Sequence, residues 1–355
     1  MEKFDKKYML RALELARNGI GGVRSNPMVG CVIVADGRII GEGYHRRYGQ
    51  GHAEVNAVAS VSNADSHLLA QATAYVTLEP CSHYGKTPPC AKLLIDKHIQ
   101  RVVIATDDPF AAVCGRGIKM LADAGIDVSV GLCSDLSKQL NAVFMTAHTH
   151  QRPFITLKWA QSADGFMDSQ RSENCAPARF STPLSSSLVH RLRSLHNAIL
   201  VGSGTVIADN PQLDVRLFAG ESPIPIILDR RGRINSDFNI FSRHDTLIIN
   251  DFSGLNDVMH SLYQQGITSV LVEGGPSVLS SFLNAGLWDA ARIETAPFAL
   301  GKNGSAKAPS APAKPIRSFN IRPNKIAWFS NNDLFTHTHP FIELQDNSTT
   351  IRHDK

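Results

Sequence analysis

Four residues in the first part of the chain have the types and spacing of a hydrolytic metal centre. His52 and Glu54 lie in one triplet, and Cys81 and Cys90 follow further along. One histidine and two thiolates supply three tetrahedral ligands of zinc and leave the fourth position for water. Zinc makes that water acidic enough to exist as hydroxide near neutral pH, and an unligated carboxylate beside it can carry protons. The pattern predicts a zinc-dependent deaminase centre, with His52, Cys81 and Cys90 as metal ligands and Glu54 as the catalytic proton carrier.

The same residues also allow structural interpretations. His-x-Glu is commonly a surface pair, and proline-flanked cysteines occur as structural zinc half-sites or as buried thiols. A structural zinc site would need a fourth Cys or His at short spacing, and the nearby candidate is His83, inside the loop between the two cysteines. The catalytic interpretation is favoured because Glu54 stands in phase with His52. The Cys-x8-Cys spacing is longer than the Cys-x2-Cys of the general deaminase signature.

Bulk composition indicates a globular protein of two domains. The chain has 355 residues, 43% hydrophobic and 19% charged, with a formal net charge of +4. Its Lys and Arg residues are scattered, which suits an anionic small molecule and disfavours nucleic acid as a partner. Six cysteines, no signal peptide and no run of about 20 apolar residues lead us to expect a cytoplasmic protein without a membrane partner.

Hydrophobic periodicity predicts two α/β halves. In the first half, predicted strands at 29–34, 74–78, 101–105 and 128–130 alternate with helices, which favours a three-layer α/β/α domain over residues 1–150. A helix over 135–150 leads into the second domain, 151–355, which is predicted to continue the alternation. The Gly-, Ser-, Ala-, Pro- and Lys-rich stretch 301–314 predicts a mobile loop within that domain rather than a linker.

Glycine-rich turns in the second half suggest a binding site for an anion. The strand 270–273 runs into Gly274-Gly275-Pro276-Ser277 and a helix, and 202–205 follows another strand. Such a unit can bind phosphate through backbone N–H groups, or it can be a plain turn. No Gly-x-Gly-x-x-Gly fingerprint is present, which disfavours a standard dinucleotide site. The basic cluster at 230–233 suits a 2′-phosphate or a solvated loop equally well.

Taken together, the motifs resemble a known family. Residues 77–90 read Thr-Leu-Glu-Pro-Cys-Ser-His-Tyr-Gly-Lys-Thr-Pro-Pro-Cys, and this run with its Cys-x8-Cys spacing resembles the bifunctional riboflavin-biosynthesis deaminase–reductases. The resemblance covers most of the chain, with its motifs in order. The other matching segments are 26–31, 41–45, 52–54, 158–162, 164–165, 190–193, 202–205, 208–211, 213–216 and 273–276.

The resemblance implies two successive reactions with zinc and NADPH as cofactors. A diaminohydroxypyrimidine ribosylamino phosphate is deaminated by hydrolysis, and its ribosyl group is then reduced to ribityl. The family's deaminase substrate contacts correspond to Asn26, His45, His83 and Lys86. The second domain would resemble dihydrofolate reductase. Its cofactor contacts correspond to Lys158, Ala160, Thr205, Asp209, Gly274, Gly275, Pro276 and Ser277, and its substrate contacts to Arg193, Leu213, Arg216 and Glu273.

Some positions depart from the family pattern, and other functions compete. Arg179 stands where many members have tryptophan, extra residues occur at 171–177, and Phe110-Ala111 replaces the usual Asn-Pro. One alternative is therefore a reductase site without activity. A nucleic-acid base deaminase would keep the shorter cysteine spacing and leave 151–355 without a role. A binding protein with structural zinc would have no use for Glu54. The fold type also suggests a homodimer through the reductase domain.

Overall fold

The computed structural model describes residues 2–83, 88–110, 114–171, 177–242, 245–312 and 314–342. The chain divides into two compact units, one of Met1–Phe154 with His260–Thr268, the other of Ile155–Met259 with Ser269–Lys355. Five cysteines of the described part, Cys31, Cys81, Cys90, Cys114 and Cys133, are free thiols. Among the described helices, none has the length and apolar character needed to cross a membrane.

The first unit is built on a five-stranded sheet of order β2-β1-β3-β4-β5. Strand β1 pairs antiparallel with β2 and β3, whereas β3, β4 and β5 run parallel. Its strands are β1 Gly30–Ala35, β2 Arg38–Tyr44, β3 Thr73–Val76, β4 Arg101–Ile104 and β5 Asp127–Val130. Its helices are α1 Glu2–Arg17, α2 Ala53–Ala59, α3 Cys90–Asp96, α4 Arg116–Asp123, α5 Ser134–Leu140 and α6 Ala142–His150.

Each face of this sheet carries a hydrophobic core, because helices pack on both faces and side chains alternate between the faces along each strand. In β1, Cys31 and Ile33 join a core with α2, α3 and α4, while Val32 and Val34 join a second core with α1 and α5. Close approach of α1 requires glycine at position 30, where a Cβ would lie 1.9 Å from the carbonyl oxygen of Ala12. The predicted three-layer α/β/α arrangement is confirmed.

The helix predicted over 135–150 is interrupted, and that prediction is corrected. α5 ends at Leu140 and α6 begins at Ala142, with Asn141 between them at φ −102° and ψ 27°. The side chain of Asn141 accepts the Met28 N–H at 2.7 Å and donates to the Met28 carbonyl at 2.9 Å. The Asn141 side chain therefore stabilises the break, because it forms hydrogen bonds with both the N–H and the carbonyl group of Met28 outside the helix.

The second unit contains an eight-stranded sheet of order β10-β9-β8-β11-β6-β12-β15-β14 and a separate pair, β13-β7. Pairs β10/β9, β9/β8, β8/β11 and β6/β12 are parallel, whereas β12/β15 and β15/β14 are antiparallel. The strands are β6 Phe154–Gln161, β7 Phe166–Ser169, β8 Ala198–Gly202, β9 Ile224–Leu228, β10 Leu247–Ile249, β11 Ser269–Gly274, β12 Ala290–Thr295, β13 Gly304–Lys307, β14 Arg317–Ile321 and β15 Asn324–Ser330. The helices are α7 Pro183–Ser194, α8 Ser203–Asp209 and α10 Pro276–Asn284, while α9 Leu255–Gln264 is divided between the two units at Met259. Short 3₁₀ turns lie at Asn239–Ser242 and Gly301–Asn303 in this unit and at Ser66–Gln71 in the first.

Two expectations for this half differ from the structure. The simple strand–helix alternation ends after α10, because β12, β15 and β14 form an antiparallel edge. The stretch predicted as a loop over 301–314 contains β13, which pairs with β7 and packs Gly304 against the ring of Phe166. The lack of β-branched residues in Gly304–Lys307 hides this strand from a propensity argument, since its order comes from pairing with β7.

Candidate functional site

The predicted metal ligands stand at the ends of three elements of the first unit. His52 is the N-cap of α2, and Cys90 is the first residue of α3 after Pro89. Cys81 lies in the loop that follows β3. A helix N-terminus favours the thiolate form of a cysteine, which is the form that binds metal.

The three ligand atoms lie at separations that suit one zinc ion. The Nδ1 atom of His52 is 3.6 Å from the sulfur of Cys81 and 3.3 Å from that of Cys90, and all three ligand atoms lie within 4.8 Å of one another. Tetrahedral zinc bonds to N and S place ligand atoms about 3.3–3.8 Å apart. The donor set and its spacing therefore fit zinc, with no fourth protein ligand among the described His, Cys, Asp and Glu groups.

The charges around this cluster also suit a metal. Hydrogen bonding from Cys90, together with that from His52, lowers the pKa of Cys81 to about 4. The backbone N–H of Cys90 donates to the Cys81 sulfur at 3.3 Å. Glu54 is only 3% exposed, and burial together with the negative charge of Cys81 raises its pKa to about 7. A carboxyl group with that pKa can both accept and donate a proton near neutrality.

Asn26 and His45 form a fixed pair next to the metal ligands. The Asn26 amide nitrogen lies 3.1 Å from Nε2 of His45, and Nδ1 of His45 lies 3.2 Å from the carbonyl oxygen of Gly51. Because the amide nitrogen can only donate, Nε2 accepts, and Nδ1 carries the proton that it donates to Gly51. Burial lowers the pKa of His45, which keeps this ring neutral.

A cavity of about 700 Å³ in the first unit brings most of the predicted deaminase residues together. His52, Glu54 and Cys81 line it, as do Asn26, His45 and His83. Lys86, the remaining predicted substrate contact, falls outside the described residues. Cys90 is 1% exposed and is not among the residues that line the cavity.

Among the other residues that line this cavity, three that were not predicted as site residues bear on the chemistry. They are Glu79, Asp108 and Phe110. Burial raises the pKa of the Asp108 carboxyl to about 6. Glu79 and Asp108 follow β3 and β4, which are parallel neighbours, so both reach the same edge of the sheet. That shared edge was the available signal, since each residue follows a predicted strand.

In the second unit, three predicted residues meet in one buried ion cluster. Arg193 on α7 donates from Nε and Nη2 to the two carboxylate oxygens of Glu273, both at 2.8 Å. Lys158 Nζ lies 4.0 Å from Glu273, and its side chain is 13% exposed. Burial alone would raise the pKa of Glu273, but the positive charges of Arg193 and Lys158 lower it to about 2. Burial lowers the pKa of Lys158.

The predicted glycine turns lie beside one another at one edge of the second sheet. β8 and β11 are parallel neighbours, with Gly274 opposite Val201, and each strand runs directly into a helix. Gly275 is the N-cap of α10, Pro276 occupies its first turn, and Ser277 follows. A Cβ on Gly275 would lie 3.2 Å from Oγ1 of Thr205 on α8. The edge therefore offers the N-terminus of α10 and the Thr205 hydroxyl side by side.

The remaining predicted reductase residues contact their own neighbours rather than the ion cluster or the glycine turns. Asp209, at the end of α8, forms an ion pair with Arg171 at 2.8 Å. The Arg216 side chain pairs with Asp214, and the backbone N–H of Arg216 donates to Nδ1 of His190 at 3.1 Å. Ala160 lies on β6 and is partly exposed, and Leu213 is buried at a φ of 53°.

The basic cluster at 230–233 divides between two kinds of contact. Arg233 donates to the Ser203 hydroxyl at 2.9 Å, whereas Arg230 lies over the Phe252 ring at 4.1 Å. Arg231 is exposed. Of the extra residues noted at 171–177, Arg171 and Pro177 are described, while 172–176 fall outside the described residues. Arg171 also pairs with Asp168 on β7, so this arginine joins β7 to α8.

Two family models match the chain, one in each half. The cytidine and deoxycytidylate deaminase zinc-binding region matches residues 2–106, and the RibD C-terminal domain matches residues 153–330. The first match contains all four residues of the predicted metal centre, and the second contains the ion cluster and the glycine turns.

Full-length relatives carry both halves in the same order. The riboflavin biosynthesis protein RibD of Escherichia coli is 39% identical over 84% of this chain and 89% of its own length. That of Aquifex aeolicus is 36% identical over 85% and 89%. Among solved structures, Acinetobacter baumannii RibD has a TM-score of 0.83 at 34% identity, covering 93% of this chain and 99% of its own. The Thermotoga maritima diaminohydroxyphosphoribosylaminopyrimidine deaminase/5-amino-6-(5-phosphoribosylamino)uracil reductase has a TM-score of 0.80 at 34% identity over the same shares.

Proposed function

Because the chain belongs to the RibD family of bifunctional deaminase–reductases of riboflavin biosynthesis, with zinc and NADPH as cofactors, we propose that it acts on the pyrimidines named for its Thermotoga relative. Residues 1–150 would deaminate the diaminohydroxyphosphoribosylaminopyrimidine. Residues 151–355 would then reduce the ribosyl group of the aminouracil product to a ribityl chain. The observation that carries the proposal is Glu54 buried beside the His52, Cys81 and Cys90 cluster, with Glu54, His52 and Cys81 lining one cavity.

In the first reaction, the amino group of the pyrimidine is replaced by a carbonyl oxygen, with water consumed and ammonia released. Zinc held by His52, Cys81 and Cys90 would activate the attacking water. Glu54 would carry protons, first to the ring nitrogen and then to the departing ammonia. Its burial supports this role, because a carboxyl group shielded from bulk water exchanges protons with the substrate rather than with solvent.

The fixed pair of Asn26 and His45 would orient the pyrimidine above Glu54. Both nitrogens of the neutral His45 ring are engaged, Nε2 by Asn26 and Nδ1 by the Gly51 carbonyl, so the ring and the Asn26 side chain are held in fixed orientations at the cavity wall. His83 lines the same cavity and, with Lys86, would bind the polar end of the substrate. Such contacts position the reacting carbon, which is the main contribution of a binding site to the rate.

In the second reaction, NADPH would supply the hydride, and the protein would position the cofactor against the ribose carbon. The edge formed by Thr205 and the Gly274–Ser277 turn suits cofactor phosphates, since the N–H groups at the start of α10 favour anions. Lys158, Ala160 and Asp209 would complete the cofactor side. Arg216, together with Leu213, Arg193 and Glu273, would form the substrate side.

Arg216 is the better candidate for the substrate phosphate, because Arg193 already donates to Glu273 and to the carbonyl of Asp214. Arg216 pairs with Asp214 through one guanidinium nitrogen, but its side chain is 55% exposed, so the rest of the group can reach a ligand. A guanidinium fork pairs with two phosphate oxygens at once. The Arg193–Glu273 pair would then shape the site from within rather than bind the phosphate directly.

A stepwise assay tests the proposed function. The full chain is incubated with the diaminopyrimidine substrate, and ammonia release and NADPH oxidation are followed together. We expect ammonia release even when NADPH is omitted. When NADPH is present, we expect its oxidation to begin only after ammonia release has begun. Absence of ammonia release from a zinc-loaded enzyme contradicts the proposed deaminase, and absence of NADPH oxidation on the deaminated product contradicts the proposed reductase.

The proposed enzyme is a cytoplasmic homodimer that pairs through residues 151–355. Free thiols at all five described cysteines suit a reducing compartment. Light scattering of the full chain at micromolar concentration tests the dimer. A monomer under those conditions contradicts the dimer and leaves both proposed reactions unaffected.

A further inference from the structure

Glu79 makes an unusual set of contacts at the edge of the deaminase cavity. Its side chain is buried, and its two carboxylate oxygens accept four backbone N–H groups. Oε1 accepts from Gly117 at 2.8 Å and from Ile118 at 3.3 Å. Oε2 accepts from Gly115 at 3.0 Å and from Asp108 at 3.3 Å. All four donors lie at least 29 residues away along the chain.

Three of these donors belong to the first turn of α4, which lacks a cap of its own. The N-cap residue of α4 is Gly115, with φ 73° and no side chain. The first N–H groups of a helix have no partner within the helix, and a carboxylate near them is favoured by the helix dipole. Glu79, arriving from the loop after β3, therefore supplies the missing cap from across the fold.

The fourth donor links this cap to the cavity. Asp108 and Phe110 both line the cavity, and the Asp108 carboxylate accepts the Phe110 N–H at 2.8 Å. By holding the Asp108 N–H, Glu79 fixes the 108–110 stretch relative to α4. The backbone is held again where the Glu79 N–H donates to the carbonyl of Thr106 at 3.0 Å.

We propose that Glu79 is a positioning residue for the deaminase reaction: it holds the stretches 108–110 and 115–118 so that Asp108 and Phe110 face the substrate. This rests on the proposed deaminase function. Both oxygens of Glu79 are committed to backbone donors, so it acts through these stretches rather than as an acid or base. Asp108 and Phe110 then contribute to substrate binding, while Glu54 and the metal ligands perform the chemistry.

A change of Glu79 to Gln isolates this role, because it preserves shape and alters the number of acceptors. A carboxylate is acceptor-only and can take four N–H groups, whereas an amide has one oxygen and a nitrogen that donates. The amide nitrogen would face two buried N–H groups that then lack acceptors. We expect Glu79→Gln to raise the KM for the diaminopyrimidine about tenfold, with kcat within about threefold of wild type.

Two further readouts separate positioning from general destabilisation. Hydrogen exchange at the amides of Asp108, Gly115 and Gly117 should accelerate in Glu79→Gln. Zinc content and reductase turnover should stay at wild-type values. The matched control is Glu42→Gln. Glu42 is another hydrogen-bonded carboxylate of the first unit, paired with Arg11, and it does not line the cavity.

An unchanged KM in Glu79→Gln overturns the proposal, provided that the wild type deaminates the substrate. Loss of zinc with loss of kcat also overturns it, because the effect would then pass through Cys81. Failure of the wild type to release ammonia instead contradicts the proposed function. If Glu79→Gln does not fold, Glu79→Asp tests the same contacts, since it keeps the carboxylate but withdraws it from the four backbone donors by one methylene group. A KM unchanged in that variant likewise overturns the proposal.

Discussion

Two arginine–glutamate pairs in this chain share one geometry and differ in their surroundings. Arg193 contacts both oxygens of Glu273 with side chains 13% and 7% exposed. Arg11 contacts both oxygens of Glu42 at 2.7 and 3.1 Å, with side chains 38% and 31% exposed. Because water screens the Arg11–Glu42 pair, its contribution to stability is small. Removing one partner of the buried Arg193–Glu273 pair would leave an uncompensated buried charge, which strongly destabilises the fold.

We expect Glu273→Gln to lower the free energy of unfolding of the second unit by about 3–5 kcal/mol, because two buried cations lose their counter-charge. Glu42→Gln, the matched control, should cost less than about 1 kcal/mol. Urea unfolding of the full chain measures both variants. Equal losses in the two variants would show that burial does not govern the Arg193–Glu273 interaction.

At the residue scale, the convergence of the three predicted metal ligands could be anticipated because the information for it is local. Residue type and spacing specify zinc ligands, and the structure brings His52, Cys81 and Cys90 together. The role of Glu79 and Asp108 was not predictable in the same way. It depends on which strands become neighbours, and the pairing of β3 with β4 is set by packing across the sheet.

At the scale of elements, the starts of α8 and α10 are packed closely at the proposed cofactor edge. A Cβ on Gly202, the N-cap of α8, would lie 2.8 Å from Cγ2 of Val278 on α10. Valine is stiff about χ1 and cannot easily turn aside. A larger residue at 202 must therefore separate the two helix starts.

Gly202→Ala should raise the KM for NADPH about tenfold, since overpacking moves Thr205 away from the turn at 274–277. Steady-state kinetics of the reductase reaction provide the measurement. The control is Gly254→Ala in the same unit, where an added Cβ meets nothing within 4 Å. If Gly202→Ala binds NADPH as tightly as the control does, the proposed cofactor edge is wrong.

Periodicity predicted the parallel elements well and the antiparallel edge poorly. β8, β9 and β11 are short apolar runs followed by helices, which is the pattern of parallel strands. β14 and β15 are separated by a tight turn and alternate exposed with buried residues, and they follow a stretch rich in small residues and proline. The loop prediction covered only the preceding stretch, 301–314, and no strand was predicted over 317–330 because the alternation of strand and helix had ended there.

At the scale of the whole molecule, two family models in one chain imply two separable activities. The predicted metal ligands all belong to the first unit, and the ion cluster and glycine turns belong to the second. Membership of the RibD family also assigns residues 151–355 a role that a nucleic-acid base deaminase would leave without explanation.

Removing zinc should therefore abolish one activity and spare the other. After treatment with a chelator, we expect ammonia release to fall below about a hundredth of the untreated rate, with NADPH oxidation on the deaminated product unchanged. Adding zinc back should restore ammonia release. Parallel loss of both activities would mean that the metal stabilises the whole chain rather than serving the deaminase reaction.

The most direct measurement compares zinc content and ammonia release in the wild type and in Glu54→Gln. We expect about one zinc per chain in both proteins, because Glu54 is not one of the three residues that would bind the metal. Ammonia release should fall by about 10²–10⁴-fold in the variant, because the proton carrier is lost. A variant that keeps its zinc and deaminates at the wild-type rate would contradict the role of Glu54, and with it the proposed mechanism.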